Sequence, residues 1–370
     1  MCHNRTCDPD RDHPHRGTDA ETFVFRNGSP GAYTRYAAYM SERVVIRPAL
    51  VSPFTVWFPR DSAYIELSGL TIDGENSTYE LRTDGAYSIR NPLTTDNYAH
   101  GHHIRIVNNE IMHSGLGEDT GDPGSCVLLA GDNEFIGNHV HDCGSYGVYA
   151  YFDKGLIEGN NIHDTGRYAI HLAASEHPAP NFWTIRNNKL YRAGSGTHKP
   201  GGGEPLTSAA FVIDYGHNNN FYNNLIYDCS HGGVFVRGLA KNNLIANNTI
   251  YGNHEYGIKV GPAGVNTPKD NLITNNIVWK NDSQIVDSGT NTTLKANFLS
   301  DPNVVDLPAR NFRLRESSPA VDMGVALTEV PTSFDGTARP QGRGYDIGAY
   351  EFRSGQTSST PNRPVDLKVE

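Results

Sequence analysis

The chain has 370 residues, of which 37% are hydrophobic, and its formal net charge is −10. An acidic chain of this kind is a poor non-specific binder of nucleic acid, so we expect no nucleic-acid partner. No apolar stretch is long enough to span a bilayer, and we expect no membrane contact. The 38 glycines suit a fold with many turns around a narrow core.

The polar segment at residues 1–22 has no apolar h-region and predicts a disordered leader rather than a signal peptide. Cys2 and Cys7 lie in this leader, where they could pair or bind a metal. The five cysteines show no CxxC spacing, and we expect no disulfide framework. Cys143 and Cys229 occupy equivalent places three repeats apart, too far for a bond.

An asparagine recurs through the middle of the chain, each time two residues before an aliphatic residue. The steps between successive members are 29, 22, 28, 36, 24, 28 and 21 residues. A short motif that recurs at a minimum interval near 22 residues, with extra residues in some intervals, is typical of a solenoid with loops in some turns. The eight positions are Asn109, Asn138, Asn160, Asn188, Asn224, Asn248, Asn276 and Asn297.

Each repeat predicts three short strands: one before the asparagine, one after it, and a third after a Gly-rich corner. Asn and Gly tolerate the left-handed backbone of such corners, and stacked Asn side chains can bond between coils. The repeats therefore predict an all-β parallel β-helix over residues 23–300. A leucine-rich repeat is the alternative, but it needs an L-x-x-L-x-L phrase and a helix that these segments lack.

Four insertions in the longer steps border the third strand. Residues 114–124 and 195–207 precede it, and residues 175–181 and 262–270 follow it. A sheet with loops along both edges forms a groove, and loops frequently carry binding residues. Chance clustering of loops is the alternative explanation.

Alternation along the third strands predicts which side chains face this groove. One outward column contains Val127, Tyr149, His171, Val212, Phe235 and Lys259. The next contains Leu129, Tyr151, Ala173, Asp214, Arg237 and Gly261, while Asp153 begins a third. Neighbouring coils are about 4.8 Å apart, so Asp214 should contact Arg237. Interleaved apolar and charged side chains in a groove suit a sugar ring, whereas a solvated β-face with incidental ion pairs is the alternative.

Three histidines lie on the strand that follows the asparagine. His141 and His163 should be outward neighbours, with His139 nearby, and three imidazoles can hold zinc. Because Met112, Tyr191, Tyr227 and Tyr251 occupy the same column elsewhere, we interpret it as a surface ladder.

The phrases NNLIANNTIYGNHEYGIKVG and NNLIYDCSHGGVFVRG resemble the repeats of right-handed parallel β-helix proteins. The ending, with SSPAVDMG and DGTARPQGRGYDIGAYEF, is similar to the segment that closes many pectate-lyase-like, secreted bacterial β-helix proteins active on polysaccharides. The resemblance implies an irregular C-terminal cap, which we place at 301–352. It also implies a polysaccharide or oligosaccharide partner, a monomer, and an extracellular or cell-surface parent protein. Residues 353–370 predict a Ser/Thr/Pro linker, as in a truncated piece of a longer protein.

Among the activities of this class, the groove face best suits β-elimination on a uronate-containing polysaccharide. Elimination needs a cation for the carboxylate, a base for the C5 proton and an acid for the leaving oxygen. The candidate catalytic residues are His171, Lys259, Arg237, Tyr151 and Asp214. The candidate substrate-binding residues are Tyr149, Asp153, Phe235, Glu176, His177 and His198. Lyases of this class often use Ca²⁺, which is the cofactor that the resemblance suggests, although no cluster of acids stands out as a Ca²⁺ cage.

Glycoside hydrolysis is the alternative, and it needs two carboxyls about 5–5.5 or 6.5–9.5 Å apart. Asp214 would serve with a second acid. Asp153 lies roughly 12 Å away by strand spacing. The loop acids that could complete the pair are Glu118, Asp119, Asp122, Glu176 and Glu204. A uronan C5-epimerase or a non-catalytic glycan-binding solenoid are further alternatives.

Overall fold

The computed structural model describes residues 25–40, 42–47, 54–58, 61–74, 87–90, 101–114, 125–173, 179–195, 208–262 and 264–354. Within these ranges the chain forms strands and turns, and no helix that could cross a bilayer is present. The strands build three parallel sheets, which confirms the expected all-β parallel β-helix. The expected leader and most of the expected linker lie outside the described ranges.

Sheet A holds the strands that precede the ladder asparagines. Each strand pairs in parallel with the equivalent strand of the next coil. Its strands, in spatial order, are β1 (Thr34–Ala37), β4 (Ala63–Ser68), β7 (His102–Val107), β10 (Glu134–Ile136), β13 (Leu156–Glu158), β16 (Thr184–Arg186), β19 (Asn220–Tyr222), β22 (Leu244–Ala246), β25 (Leu272–Thr274) and β28 (Thr293–Lys295).

Sheet B holds the strands that follow the asparagines and is also parallel. Its strands are β2 (Val45–Ile46), β5 (Thr71–Asp73), β8 (Glu110–Ser114), β11 (His139–Cys143), β14 (Asn161–Thr165), β17 (Lys189–Ala193), β20 (Leu225–Tyr227), β23 (Thr249–Tyr251) and β26 (Ile277–Trp279).

Sheet C contains the third strand of each coil, where the sequence places the groove. Its strands are β3 (Phe54–Trp57), β6 (Tyr87–Arg90), β9 (Val127–Ala130), β12 (Val148–Tyr151), β15 (Ile170–Leu172), β18 (Ala209–Asp214), β21 (Gly232–Arg237), β24 (Tyr256–Gly261) and β27 (Ser283–Asp287). A short antiparallel pair, β29 (Val304–Asp306) and β30 (Asn311–Leu314), follows the coils.

The core is a tube of stacked aliphatic and aromatic side chains enclosed by the three sheets. Its members repeat at the same register in every coil. In sheet B, for example, Val140, Ile162 and Leu190 pair in succession and are fully buried. Burying each such side chain contributes about 1.5–3 kcal/mol, so a narrow core gains stability coil by coil.

The asparagine ladder is present from Asn109 to Asn297. At each step the side-chain amide and the backbone N–H donate to Oδ1 of the asparagine in the next coil, as from Asn138 to Asn160 at 3.1 and 2.8 Å. The side-chain amide also donates to a backbone carbonyl of the sheet A strand in the preceding coil, as from Asn160 to Phe135 at 2.9 Å. The buried amides are therefore satisfied along the tube, which explains why asparagine recurs there.

The residue before each ladder asparagine has a positive φ. Gly137, Gly159 and Asn187 adopt values of 66°, 67° and 58°. L-residues with a bulky Cβ are strained in this region, so glycine and asparagine recur there. This corner connects sheet A to sheet B in two residues from β4 onward.

A second ladder was not predicted. Asn219 donates to Oδ1 of Asn243, and Asn243 donates to Oδ1 of Asn271, at 3.0 and 2.9 Å. These buried side chains lie just before the strands of sheet A, at the corner with sheet C. Two ladders at two corners fix the stacking of coils more firmly than one.

A disulfide joins Cys126 and Cys143, with Cα atoms 5.5 Å apart, a pairing that was not predicted from the sequence. Cys126 precedes β9, and Cys143 ends β11 in the next coil. The bond crosses one corner between neighbouring coils, a relationship that matching Cys143 to Cys229 overlooks. Cys229 is a buried free thiol whose pKa is raised to about 12 by burial.

The segment after β28 packs along the corner between sheets A and B. Side-chain amides of Asn223, Asn247 and Asn275 donate to carbonyls of Thr332, Asp346 and Val325, at 2.7, 3.0 and 2.8 Å. Each donor directly precedes a ladder asparagine. The C-terminal segment thus caps the flank of the last coils by binding amides that point outward from the tube.

Candidate active site on sheet C

The four expected insertions each directly precede or follow a strand of sheet C in the chain. Residues 114–124 connect β8 to β9, residues 195–207 connect β17 to β18, and the other two follow β15 and β24. Residues 75–86 and 91–100, which the sequence analysis did not single out, flank β6 of the same sheet. The long connections therefore precede or follow strands of sheet C in the chain, whereas those between sheets A and B are two residues long from β4 onward. Much of these insertions lies outside the described ranges.

Strand pairing in sheet C brings the expected outward column together. Tyr149 pairs with His171, His171 with Val212, Val212 with Phe235, and Phe235 with Lys259. In the next column Asp214 pairs with Arg237, and Arg237 with Gly261.

The outward residues expected on β9, the first strand of the columns, are wrong by one position. Val127 and Leu129 pair with Val148 and Ala150 and belong to the core. The outward neighbour of Tyr149 is instead Leu128. All four residues of β9 are apolar and buried, so alternation gave no phase for this strand.

His171 is the central side chain of the site. Its ring centre lies 4.9 Å from Tyr168, 5.2 Å from Tyr149 and 5.3 Å from Tyr146. It is 5% exposed, and neither ring nitrogen has a hydrogen-bond partner among the described residues. A buried polar group without a partner is uncommon and calls for an explanation, such as a catalytic role.

Two arginines act on His171 through space. Burial is the largest cause that lowers the pKa of His171 well below the ordinary 6.5, and the charges of Arg237 and Arg167 lower it further. Arg167 lies over the Tyr168 and Tyr146 rings and donates to the Tyr146 hydroxyl at 2.9 Å. The imidazole is therefore neutral near neutral pH, with a lone pair on one nitrogen.

Asp214 and Arg237 form an ion pair across β18 and β21. Arg237 Nε donates to Asp214 Oδ2 at 3.0 Å, and its Nη2 lies 2.9 Å from the same oxygen. Burial raises the pKa of Asp214, and Arg237 opposes this shift. Oδ1 of Asp214 is buried without a hydrogen-bond partner in the described part of the chain.

Lys259 provides a second cation at the next coil. Its Nζ lies 5.0 Å from the ring centre of Phe235 and 5.4 Å from that of Tyr256, in cation–π contact. No carboxylate within the described ranges forms an ion pair with it. The charge on Lys259 is thus available to an anionic ligand, and the two rings offer apolar surface beside it.

The face is more buried than an open groove implies. Tyr151 is fully buried, Phe235 is 4% exposed, and Tyr149 remains half-buried. Tyr151 packs with Leu128, Ala130 and Phe152. The rings pack on one another across coils, which the expectation of a solvent-facing column did not include.

Of the remaining candidate residues, Asp153 lies in the described part of the chain and the others do not. Asp153 is exposed, and its Oδ1 accepts hydrogen bonds from the backbone and side chain of Asn181 at 3.2 and 2.8 Å. This contact fixes the turn after β12 to the next coil. Glu176, His177 and His198 lie outside the described residues, as do Glu118, Asp119, Asp122 and Glu204.

The described residues of sheet C do not fit Ca²⁺. This ion prefers six to eight oxygen ligands. Within the described ranges, the one group of three or more metal-ligating side chains lies on sheet B, and the central carboxylate of sheet C, Asp214, is engaged by Arg237. We derive no catalytic step through calcium.

Three contributors to the site, Tyr146, Arg167 and Tyr168, were not predicted. Each lies in the corner before a sheet C strand, in the phrases GSYG and GRYA. A recurring Tyr three residues before the outward ring is the signal that could have indicated a second aromatic layer.

The family of the chain follows from its sequence as well as from its coils. The model of the right handed beta helix region matches residues 55–205 and 125–299, which together span more than half of the chain. The chain belongs to the right-handed beta helix family. No curated protein matches this β-helix protein in sequence.

Some solved structures are similar to this β-helix protein at low sequence identity. Pectate lyase Pel9A is 15% identical, with 79% of this chain and 88% of that chain covered and a TM-score of 0.46. The Dettilon tailspike protein is 17% identical, with coverage of 65% and 44% and a TM-score of 0.45. The periplasmic alginate epimerase AlgG is 9% identical, with coverage of 72% and 75% and a TM-score of 0.41.

Proposed function

We propose that the protein is a carbohydrate-active enzyme that cleaves a uronate-containing polysaccharide by β-elimination on the outer face of sheet C. The observation that carries this proposal is the buried, neutral His171 with two unpartnered ring nitrogens, close to two arginines. A neutral imidazole held in this way is suited to accept a proton.

In the proposed reaction, a ring nitrogen of His171 removes the proton from C5 of the uronate. The electron pair of the broken C5–H bond forms the C4–C5 double bond, and the C4–O bond breaks. The proton on His171 then passes to the leaving oxygen. Access to the imidazole requires movement of a covering side chain, and its half-buried aromatic neighbours are Tyr146 and Tyr149.

The C5 proton becomes acidic only if the negative charge that develops on the uronate carboxylate is stabilised. Lys259 and Arg237 supply positive charge on adjacent coils. Lys259 is the stronger candidate, because Arg237 already holds Asp214. Phe235, between them, offers a ring on which a sugar can pack.

Glycoside hydrolysis is a second candidate, and the state of Asp214 favours it. A carboxyl whose pKa is raised by burial can act as a general acid, as hydrolysis requires. The second carboxyl would come from residues 114–124, 175–181 or 195–207. C5-epimerisation would use the same base and cations without bond cleavage.

The experiment is a panel of galacturonate, glucuronate, mannuronate and guluronate polymers with a neutral glucan as control. Products are followed by ultraviolet absorbance of the unsaturated uronate and by reducing ends. Elimination predicts both signals on one uronate polymer. Reducing ends without absorbance would overturn elimination in favour of hydrolysis. Exchange of the C5 proton with solvent, without cleavage, would indicate epimerisation, and binding without turnover a non-catalytic role.

A Lys259→Met variant separates charge from packing. Methionine retains contact with Phe235 and Tyr256 but lacks the cation, so we expect kcat/KM on the uronate polymer to fall about 100-fold. Lys280→Met is the matched control, because Lys280 lies over the Trp279 ring in the same manner, 5.4 Å from its centre, on sheet B. Equal activity of the two variants would contradict the assignment of Lys259.

A further inference from the structure

Four potential metal ligands meet on the outer face of sheet B, away from the site on sheet C. They come from three successive coils: Glu110 from β8, His139 and His141 from β11, and His163 from β14. Ligand atoms of Glu110, His139 and His141 all lie within 4.8 Å of one another. The Nε2 atoms of His139 and His163 are 2.8 Å apart.

Neighbouring groups orient these side chains. Asp142 Oδ2 lies 2.7 Å from Nδ1 of His141, and Asp164 Oδ2 lies 2.6 Å from Nδ1 of His163. In the tautomer in which each carboxylate accepts the Nδ1 proton, Nε2 is the nitrogen with the lone pair. Arg192, which donates to Asp164, also lies 3.2 Å from Nδ1 of His163. Carboxylate–histidine pairs of this kind orient imidazoles in metal sites.

Glu110 is held in the same sense. Its Oε2 accepts a hydrogen bond from the Thr71 hydroxyl at 3.0 Å, and the exposed Arg43 lies 3.6 Å from that oxygen. Its other oxygen, Oε1, lies 3.6 Å from Nε2 of His141. The buried Nε2 of His141 has no hydrogen-bond partner within the described ranges.

The cluster therefore brings several atoms with lone pairs close together, with few protons available for hydrogen bonds between them. The two Nε2 atoms of His139 and His163 can share one proton, but His141 Nε2 and Glu110 Oε1 are both acceptors. The lone pairs of these two acceptors repel each other, and a cation bound between them would remove that repulsion.

We propose that Glu110, His139, His141 and His163 bind one divalent transition-metal ion, with zinc as the best fit. Three nitrogens and one carboxylate oxygen are a common donor set for tetrahedral zinc, and imidazole favours zinc over calcium. Zn–N bonds of about 2.0–2.1 Å place imidazole ring centres roughly 5 Å apart. The ring centres here are 4.4, 5.0 and 5.4 Å apart. The ion links three coils.

The surface ladder expected from the sequence is also present, and it does not account for the cluster. His163 stacks on Tyr191 at 4.6 Å, and Tyr191 on Tyr227 at 4.9 Å. The adjacent column contains Glu110, His139 and Asn161 on β8, β11 and β14, but Lys189 and Leu225 beside the tyrosines. Ligand residues thus occur in both columns within three neighbouring coils, which stacking alone does not require.

The test is zinc content. The full chain is stripped with a chelator, dialysed against zinc and analysed for metal per chain. His141→Phe keeps an aromatic ring in the column but removes a ligand. His231→Gln is the matched control, because His231 pairs with a single carboxylate, Glu255, at 2.8 Å. Cys2, His3 and Cys7 can bind zinc independently, so the difference between variants is the quantity measured.

We expect the parent and His231→Gln to bind one more zinc per chain than His141→Phe. Zinc should raise the thermal unfolding midpoint of the first two and leave that of His141→Phe nearly unchanged. Equal zinc content in the parent and His141→Phe would overturn the proposal. No activity is measured, so the outcome is independent of the proposed elimination.

Discussion

Asp214 Oδ2 accepts a hydrogen bond from Arg237 Nε at 3.0 Å across two strands of sheet C. The pair lies in the outward column next to His171, and both side chains are largely buried. Burial of two charges is tolerated because each is paired. Removing one partner should therefore lower stability more than removing both.

Arg237→Met should destabilise the fold by about 2 kcal/mol at neutral pH, because Asp214 is left as a buried, unpaired carboxylate. The double variant Arg237→Met with Asp214→Leu should recover much of this loss. Urea unfolding of the parent and the variants measures the difference. A double variant less stable than Arg237→Met would show that the pair is not coupled as described.

The same variant should respond to pH. Burial raises the pKa of Asp214 and Arg237 opposes the shift, so the pKa rises further in Arg237→Met. Since the folded state then binds a proton more tightly than the unfolded state, stability is gained at acidic pH and lost as pH rises through the folded pKa. The deficit of Arg237→Met should shrink from neutral to mildly acidic pH. A deficit independent of pH would contradict this assignment.

The asparagine ladder predicts an unusually large loss of stability when the polar side chain of one of its members is removed. Asn160→Ala removes donors to Phe135 O and Asn188 Oδ1 and the acceptor for Asn138, all buried. We expect a loss of about 2–4 kcal/mol in unfolding free energy. Asn266→Ala, at a partly exposed asparagine outside the ladder that has no positive φ and donates to the Tyr215 hydroxyl at 3.4 Å, should change stability by less than about 0.5 kcal/mol. Similar losses at both positions would argue against the ladder.

The disulfide provides a third stability test. Cys126 and Cys143 are 17 residues apart, and closing a loop of this size stabilises by about 3 kcal/mol in the chain-entropy model. The double variant Cys126→Ala with Cys143→Ala should lose about that amount under oxidising conditions. In excess dithiothreitol the parent and the variant should unfold alike. A difference that persists under reduction would assign the effect to packing.

The fold followed from the sequence because the same physical requirement recurs in every coil. Corners need αL residues, and buried corner amides need partners, so Gly and Asn return at a fixed place. The register that Asn138, Asn160 and Asn188 define gave the correct pairing of Tyr149 with His171 and of Asp214 with Arg237.

The remaining features depend on relationships between coils that no single repeat displays. The Cys126–Cys143 bond crosses a corner between neighbouring coils. The sequence of β9 shows no alternation, and burial of Tyr151 depends on packing against Leu128 and Ala130 of the neighbouring strand and against Phe152. Glu110 and His141 lie in two different columns of sheet B, whereas the histidine pattern in the sequence follows the column of His141.

His171→Phe separates a catalytic role from a packing role. Phenylalanine keeps the ring among Tyr146, Tyr149 and Tyr168 and removes two unpartnered nitrogens, so we expect stability at neutral pH to be unchanged or higher. The pKa of His171 is lowered in the folded state, so the parent loses stability as pH falls below the ordinary value of 6.5. The variant should lose less over that range in thermal unfolding measured against pH.

The most direct test of the account is the rate at which unsaturated uronate forms, compared between the parent and His171→Phe on the polymer that the parent cleaves. We expect kcat/KM to fall about 100- to 10,000-fold in the variant while its thermal unfolding midpoint is maintained. In the parent, the acidic limb of the pH profile should have its midpoint below 6.5 because of the lowered pKa of His171. A folded His171→Phe variant that eliminates at the parental rate would contradict the central claim.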